Sequence, residues 1–329
     1  MTKIRVGLIN CDLHGMYYGV PMAKHDPIAL RDDKIGRGHA AYYYFYTNYD
    51  DPAKMTVPNV SGFKIAKVWD KDPQIAALMN KIWFDKPEVC KTLEEASDDV
   101  DLVFIADCNG DGSNHLQLAT PGIKKGVPTF IDKPLAYDID DAKSIVKLSK
   151  KYNTQIMSHS ILSEVPGVLY FKDRLQELGQ PEFGTIKGGG TVMAGHIHAI
   201  SFALRLFGGG VKYVECMGQQ PLAYIHLDYD GQVDRPSNGV VINCDSGGSP
   251  QCAMFASAYS KEGVIHSEPI GDLVFPYGAC NILKKIKKMV TGKKLVNPYE
   301  EMFEGVAIAT AARLAQKQKR RVAIKEVLK

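Results

Sequence analysis

The sequence lacks the features that mark a secreted, membrane-spanning or nucleic-acid-binding protein. Its seven cysteines are odd in number and form no Cys-x-x-Cys pair, so a disulfide framework is not expected and reduced thiols fit the cytoplasm. No apolar run approaches the roughly 20 residues that a transmembrane helix needs. The formal net charge of +3 is too small to indicate nucleic acid or an acidic membrane as a partner.

Neither end of the chain changes this expectation. The N-terminal run MTKIRVGLIN enters a strand pattern directly, without a charged and then apolar leader, and we expect a cytoplasmic location. The basic cluster from Lys317 to Arg321 is typical of the solvated face of a helix. Hydrophobic residues make up 45% of the 329 positions and charged residues 23%, which is ordinary for a folded protein and sufficient for two domains.

The first half of the chain alternates between strand and helix patterns. A regular alternation of this kind predicts a Rossmann-like, doubly wound parallel sheet with right-handed crossovers, over residues 1–160. Helical spacing of apolar residues is clearest at Ile139–Tyr152. The predicted strands are Ile4–Asn10, Lys64–Asp70, Asp101–Ala106, Pro128–Ile131 and Thr154–Met157.

The second half has a different pattern, because strand-like runs follow one another with little helix between them. This clustering predicts an α+β domain with an open, mainly antiparallel sheet over residues 161–329. Helices are predicted at Val168–Leu178, Ala199–Phe207, Asn281–Val290 and Tyr299–Gln318. Strands are predicted at Val211–Met217, Pro221–Leu227, Val240–Cys244 and Ala253–Ala258.

An aromatic-rich insertion interrupts the first domain at about residues 16–62. It places Tyr42, Tyr43, Tyr44, Phe45, Tyr46 and Tyr49 near His39. Tyrosines combine apolar area with a polar tip, so they suit the wall of a wet cavity or a subunit contact. We therefore consider Tyr42 and Tyr46 as candidates for substrate contact. The alternative is an amphipathic helix that docks on the core of its own domain.

The turn after the first predicted strand departs from the usual Gly-x-Gly-x-x-Gly. It reads Asn10-Cys11-Asp12-Leu13-His14-Gly15, so only the third glycine is present. Asn10 tolerates the left-handed backbone that the first glycine normally adopts. Asp12 adds bulk and negative charge where the pyrophosphate of a dinucleotide would lie.

Two acidic sites compete for the ribose of a dinucleotide. Asp32 and Asp33 have the nominal spacing from the turn, but no convincing strand precedes them. Asp70 ends the strand pattern KIAKVWD, from which a carboxylate reaches ribose hydroxyls. We favour Asp70; the alternative is a solvated aspartate that opens the turn before Pro73.

Three segments follow in order further along the chain: DLVFIADCNGDGSNH, VPTFIDKPLA and IDDAKSIVKLSKKYNTQIMSHS. The last segment of the chain contains NPYEEMFEGVAIATAARLAQKQKRRVAI. This order of elements resembles the Gfo/Idh/MocA family, which includes glucose–fructose oxidoreductase and inositol dehydrogenase. In that family a strand ends near an Asn, a His follows, and Glu-Lys-Pro comes after the next strand. Here these are Asn109, His115 and Asp132-Lys133-Pro134, with Asp in place of Glu.

The resemblance implies NAD as cofactor, with NADP less favoured because a carboxylate at Asp70 repels a 2′-phosphate. It also implies reversible hydride transfer to or from a secondary alcohol of a sugar, cyclitol or related polyol. A homodimer or homotetramer through the C-terminal sheet is implied as well. Candidate cofactor-binding residues are Asn10, Asp12, Gly15, Asp70, Asp107, Asn109, His115, Asp132, Lys133 and Pro134.

Lys133 is the residue expected to transfer the proton. A lysine at the carboxyl end of a parallel strand points into the crevice where open α/β sheets bind ligands. Beside a cationic nicotinamide its ammonium form is disfavoured, so it could take the proton of the reacting hydroxyl. The alternative is a structural lysine that pairs with Asp132.

The family's second catalytic motif, Asp-x-Gly-x-His-x-x-Asp, is only partly present in GGGTVMAGHIHAIS. Ala194 stands at the first Asp, and Ser201 at the last, while His198 keeps the position of the His. His198 is therefore a candidate partner of Lys133, and the alternative is a histidine that caps its helix. His196 and His159 are weaker candidates for substrate contact. A metal is not expected, because ligands two positions apart do not share a helix face.

Two other functions remain open. One is a redox-assisted glycoside-cleaving enzyme with tightly held NAD, which the family includes and which would consume no net cofactor. The other is a ligand-binding or scaffold protein that has lost dinucleotide binding, for which Asp12 and Ala194 are the arguments.

Overall fold

The structure is a computed structural model that describes residues 3–32, 38–47, 50–51, 53–188, 193–219, 221–244, 254–292 and 299–329. Its chain divides into two compact units that interleave along the sequence. The first comprises Met1–Asp132, Lys143–His159 and Ala279–Pro298, and the second Lys133–Ala142, Ser160–Gly278 and Tyr299–Lys329. The sequence predicted one domain boundary after residue 160, whereas each unit here consists of three separate segments. The assignment of one domain to the dinucleotide and the other to substrate and oligomerisation stays a prediction.

Among the described residues, six strands form the parallel sheet of the first unit. They are β1 (Ile4–Ile9), β2 (Phe63–Trp69), β3 (Glu88–Val89), β4 (Leu102–Ile105), β5 (Thr129–Ile131) and β6 (Ile156–Ser158), in the order β3-β2-β1-β4-β5-β6. The central strand β4 is buried throughout, as its run of apolar and β-branched residues predicts for a strand covered on both faces.

Helices connect these strands in the way that the alternating pattern predicts. They are α1 (Leu13–Met22), α2 (Pro27–Arg31), α3 (Gly38–Phe45), α4 (Pro73–Asn80), α5 (Leu93–Ala96), α6 (His115–Lys124) and α7 (Ile139–Lys151). In α7, two acidic residues lie in the first turn and two lysines in the last, which complements the helix dipole. The short helices α2 and α3 belong to the predicted insertion.

The second unit contains a mixed sheet of seven strands in its described part, in the order β12-β11-β7-β10-β9-β8-β13. Only β7 and β10 pair in parallel, and the other neighbours are antiparallel. The strands are β7 (Phe183–Lys187), β8 (Tyr213–Met217), β9 (Tyr224–Asp228), β10 (Val240–Asn243), β11 (Phe255–Ser260), β12 (Gly263–His266) and β13 (Val322–Ala323). The predicted fold class, with its open and mainly antiparallel second sheet, is confirmed.

Helices α8 (Pro166–Arg174), α9 (Met193–Phe207), α10 (Phe275–Gly292), α11 (Tyr299–Gln318) and α12 (Ile324–Val327) complete the chain. Two of these begin before their predicted starts, α9 by six residues and α10 by six, because the apolar pattern is weakest in their first turns. No helix in the described ranges is both long and apolar enough to span a bilayer.

Candidate functional site

Most of the predicted cofactor residues meet at one edge of the parallel sheet. Asn10 follows β1, Asp70 follows β2, Asp107 lies two residues after β4, and Asp132 follows β5. The strand order reverses between β1 and β4, and ligands of open α/β sheets bind where the strand order reverses. We call this edge, formed by the carboxyl ends of β1, β2, β4 and β5, the crevice.

The turn from β1 to α1 keeps the close backbone approach of a dinucleotide-binding turn. Asn10 has φ of 65°, the left-handed backbone predicted for it, and its amide Nδ2 donates to the carbonyl of Ala106 at 2.8 Å. A side chain at Gly15 would place its Cβ 2.6 Å from the carbonyl oxygen of Asn10. Only glycine therefore fits at this position without a shift of the backbone.

The carboxylate of Asp12 accepts from one backbone amide in the first turn of α1 and from another in the loop after β4. Oδ1 accepts from the backbone N–H of Gly15 at 3.0 Å, and Oδ2 accepts from the N–H of Cys108 at 2.5 Å. Burial raises the pKa of Asp12, although the charge of His14 and these two hydrogen bonds act against it. Backbone amides at a helix N-terminus are the groups that hold phosphates in such folds, so Asp12 binds where a phosphate would.

Asp70 lies at the end of β2, as predicted. Its Oδ2 accepts from the N–H of Cys11 at 2.7 Å, and its Oδ1 accepts from the N–H of Asp72. The competing Asp32 instead follows α2 and is exposed, and Asp33 lies outside the described residues. Of the two competing residues that the structure describes, Asp32 and Asp70, it is therefore Asp70 that lies at the crevice.

A buried histidine–aspartate pair lies behind the turn. Nδ1 of His14 is 2.5 Å from Oδ2 of Asp132, whose side chain is fully buried and also accepts from the N–H of Asp107. Burial lowers the pKa of His14, but the Asp132 carboxylate and Cys108 outweigh it and raise that pKa to about 10. The sequence did not single out His14, because nothing local shows that α1 brings it to the end of β5.

Asp107 holds the loop after β4 in place. Its Oδ1 accepts from the N–H of Gly110 at 2.6 Å, and its Oδ2 is 3.1 Å from Nε2 of His115. A Cβ on Gly110 would lie 1.8 Å from that carboxylate. His115 is fully buried and so contacts Asp107 rather than the open crevice, whereas Asn109 is exposed.

Lys133 and Pro134 follow Asp132 directly and are buried. Only 2% of Lys133 is exposed, which is unusual for a lysine, and the peptide to Pro134 is cis. A lysine is buried in this way only where hydrogen-bonding or charged groups surround its ammonium group.

The second unit contains the predicted partner, His198, and a serine that the sequence did not indicate. Nδ1 of His198 and Oγ of Ser160 are hydrogen-bonded at 2.7 Å, and the His198 ring lies 6.3 Å from that of Phe275. Ser160 thus orients a histidine for which the sequence offered no carboxylate. Ala194, where the family has its first Asp, cannot do so.

His196, a weaker candidate for substrate contact, is buried in the second unit. Its side chain is fully buried, and its Nε2 lies 3.2 Å from the carbonyl of Pro221. Burial, together with the charge of Arg313, lowers its pKa to about 4. His159 is partly exposed after β6. No cluster of three potential metal ligands occurs in the part of the chain that the structure describes.

Helix α3 docks on its own unit, which was the alternative for the tyrosine run. Phe45 is fully buried and its ring is 4.9 Å from that of Tyr17. Tyr42 stacks on Tyr46 at 4.8 Å, and the hydroxyl of Tyr46 is 2.6 Å from Nε2 of His25. Since α1 begins at the crevice and His25 follows its far end, Tyr46 lies away from the crevice. Tyr49 and the side chain of His39 lie outside the described residues.

The crevice fits a dinucleotide at the turn and at the ribose end. Gly15 and Asn10 keep the backbone open, and Asp70 lies where ribose hydroxyls are bound. Asp12 is the exception, because it already binds two amides. A dinucleotide would have to exchange with that carboxylate.

Comparison with known proteins agrees with this geometry. Residues 35–160 match the model of the Gfo/Idh/MocA family, described as an oxidoreductase family with an NAD-binding Rossmann fold. The match contains Asp70, the loop after β4 and Asp132-Lys133-Pro134, and it begins downstream of the unusual turn. The predicted resemblance and the predicted class, an oxidoreductase of an NAD-binding family, are therefore confirmed. The search of curated proteins gave no match.

Solved structures share the fold over nearly the whole chain. Scyllo-inositol dehydrogenase from Lactobacillus casei, with bound NAD(H) and scyllo-inositol, has a TM-score of 0.73 at 12% identity, with 98% of this chain and 100% of that chain covered. GenD2 from gentamicin A biosynthesis, in complex with NAD, has a TM-score of 0.72 at 14% identity, with 98% of this chain and 97% of that chain covered. A protein from Sinorhizobium meliloti described as a myo-inositol dehydrogenase has a TM-score of 0.70 at 14% identity. The alignment covers 98% of this chain and 100% of that chain.

Proposed function

We propose that this chain, whose matched domain is that of the Gfo/Idh/MocA oxidoreductases, transfers hydride between NAD and a secondary alcohol of a sugar, cyclitol or related polyol. The observation that carries the proposal is the burial of Lys133, the second residue after β5; Asp70, directly after β2, supports it as the residue proposed to bind ribose. The dehydrogenases of similar fold, with inositols and NAD in their structures, support the substrate class.

Each residue has one role in the proposed reaction. NAD, when bound, supplies the acceptor of the hydride. Lys133 hydrogen-bonds the reacting hydroxyl and takes its proton as the hydride leaves the same carbon, and it returns the proton in the reverse direction. His198, oriented by Ser160, contacts substrate and assists this transfer. Asp70 binds the ribose hydroxyls and selects NAD over NADP, because its carboxylate repels a 2′-phosphate.

One observation favours a second function, a ligand-binding protein without dinucleotide. Asp12 already satisfies the amides of Gly15 and Cys108, so the crevice is stable without a phosphate. In this alternative the protein would bind a polyol without catalysing a reaction, and Lys133 would have a structural role.

A titration separates the two functions. Calorimetry of the full chain with NAD and with NADP is expected to show binding of both, with NAD bound more tightly. A polyol screen that follows reduced nicotinamide by its absorbance then identifies the substrate class. No binding of either dinucleotide, together with binding of a polyol, would establish the second function. Turnover of a glycoside without net reduction of NAD would indicate redox-assisted cleavage.

A further inference from the structure

The crevice is rich in negative charge for a site that would take an anionic ligand. The carboxylates of Asp12, Asp70, Asp107 and Asp132 all come from the strand ends and turns that form it. A dinucleotide adds the charges of its pyrophosphate to these. Like charges destabilise one another, so a cation among these groups would favour binding of an anionic ligand.

His14 has the position for that cation. It lies in the first turn of α1, its side chain is 11% exposed, and its Nδ1 is 2.5 Å from the fully buried Oδ2 of Asp132. Asp12, the residue that caps its own helix, interacts with it electrostatically, and Cys108 faces it from the loop after β4. The rings of Tyr17 and Tyr18 lie 6.2 and 6.0 Å from its own.

The surroundings of His14 therefore favour the imidazolium form at neutral pH. Burial opposes the charge, yet the Asp132 carboxylate and Cys108 together raise the pKa of His14 to about 10. Loss of the imidazolium would take a short, charge-assisted contact away from the fully buried carboxylate of Asp132.

We propose that His14 is a positioning residue that stays positively charged, neutralises Asp132 and offsets Asp12, and so allows the crevice to accept the pyrophosphate of NAD. The dinucleotide part of this inference rests on the proposed function. The compensation of Asp132 by His14 does not, since both groups belong to the protein itself.

The test compares His14→Gln, Asp132→Asn and the double variant with the unchanged protein. His25→Gln is the matched control, because His25 is also buried and hydrogen-bonded but lies beyond the other end of α1. Three quantities are measured: the NMR titration of the His14 ring, the midpoint of thermal unfolding, and the dissociation constant of NAD across the range from neutral pH to about pH 10.

We expect His14 to remain protonated at pH 8 and the affinity of the unchanged protein for NAD to fall as pH approaches 10. His14→Gln should weaken NAD binding about tenfold or more near pH 7 and remove the pH dependence. The double variant should recover most of the lost stability, because it removes both charges of the pair together. His25→Gln should leave affinity and its pH dependence unchanged.

A His14 ring that loses its proton below pH 8, or a His14→Gln variant that binds NAD normally with an unchanged pH profile, overturns the proposal. If the unchanged protein binds no NAD at any pH, the proposed function fails instead. The NMR titration and the unfolding of the double variant then still decide whether His14 compensates Asp132, even if His14→Gln alone does not fold.

Discussion

Asp12 is the single residue that most separates this crevice from an ordinary dinucleotide site. Replacing it with glycine removes a negative charge and frees the amides of Gly15 and Cys108, so NAD should bind more tightly. The cost is small, because glycine in place of a capping aspartate lowers helix stability by only a few tenths of a kcal/mol, with about 1 kcal/mol more for the lost bond to Cys108. Calorimetry with NAD measures the change. Weaker or unaltered binding would mean that the pyrophosphate lies elsewhere.

Lys133 and His198 should differ in how much turnover they control. Lys133→Met is expected to keep the fold and most affinity for NAD while turnover falls about 10²–10⁴-fold, the usual contribution of a positioned acid or base. His198→Ala should cost less, and Ser160→Ala should reproduce part of that smaller loss, because Ser160 orients His198. Steady-state kinetics on an active polyol measures these losses. Normal turnover by Lys133→Met would exclude the mechanism.

The His14–Asp132 pair predicts how stability depends on pH. Because the pKa of His14 is raised from 6.5 to about 10 in the folded chain, its contribution is complete below pH 6.5. That contribution is lost as pH rises through about 10. His14→Gln should cost about 3–5 kcal/mol at pH 6, as expected for a broken buried pair, and much less near pH 10. Chemical denaturation at both pH values tests this, and a difference that does not shrink with rising pH would contradict it.

At the residue scale, the sequence indicated groups whose position follows from a strand end. Asn10, Asp70 and Asp132 each come directly after a strand, with Lys133 one residue further on, so the topology alone predicts their edge of the sheet. His14 and Ser160 could not be found this way. Their roles depend on partners 118 and 38 positions away in the chain, and no local pattern encodes such a contact.

At the scale of elements, α3 has a composition that suggested contact with substrate and a packing that suggests a structural role. Its tyrosines were candidates for substrate contact, yet Phe45 anchors the helix on Tyr17 and Tyr46 bonds His25. Tyr46 and His25 also line a cavity of about 500 Å³ at the end of α1 that is remote from the crevice. The docked helix is therefore a structural part of the first unit in the residues described.

This packing predicts a separation between stability and function at Tyr46. Tyr46→Phe should lower the free energy of unfolding by about 1 kcal/mol, since His25 loses a hydrogen-bond partner, and should leave NAD affinity unchanged. Tyr43→Ser is the control, because Tyr43 is 54% exposed. Denaturation and calorimetry provide the two readouts. Reduced substrate affinity in Tyr46→Phe would restore the idea of substrate contact.

Elements with a long and regular pattern were predicted well, and short ones were not. The helix at 299–318 and the five predicted strands of the parallel sheet agree with the patterns to within one or two residues. The two-residue strands β3 and β13 were missed, as were β7 and β12, the latter returning from β11 through a turn at residues 261–262. A strand of two residues is too short to show an alternation of apolar and polar side chains. It is defined by its pairing with a neighbouring strand, which the sequence does not show.

At the scale of the whole molecule, the open sheet of the second unit bears on assembly. Several large apolar side chains on its strands are at least one-third exposed, among them Met217, Tyr224, Phe255, Tyr259 and Val264. Apolar side chains exposed together on one sheet often mark an interface. They support the predicted homodimer or homotetramer.

Light scattering coupled to gel filtration tests this assembly. The unchanged chain should elute as a dimer or tetramer, and Phe255→Asp with Tyr259→Asp should elute at a smaller mass. Ile28→Asp, a change at an 81% exposed position of the first unit, is the control. A monomeric unchanged chain would rule the assembly out.

The carboxylate of Asp12 also has a thermodynamic consequence for ligand entry. When it leaves the amides of Gly15 and Cys108 to a phosphate, hydrogen bonds are exchanged rather than added. Binding of a dinucleotide should then be less exothermic than in the Asp12→Gly variant, whose amides are free, and calorimetry measures the difference. Because the Asp12 carboxylate belongs to the chain itself, it competes with a phosphate for these two amides at every protein concentration. Association of a dinucleotide should therefore be slow, even where the final complex is stable.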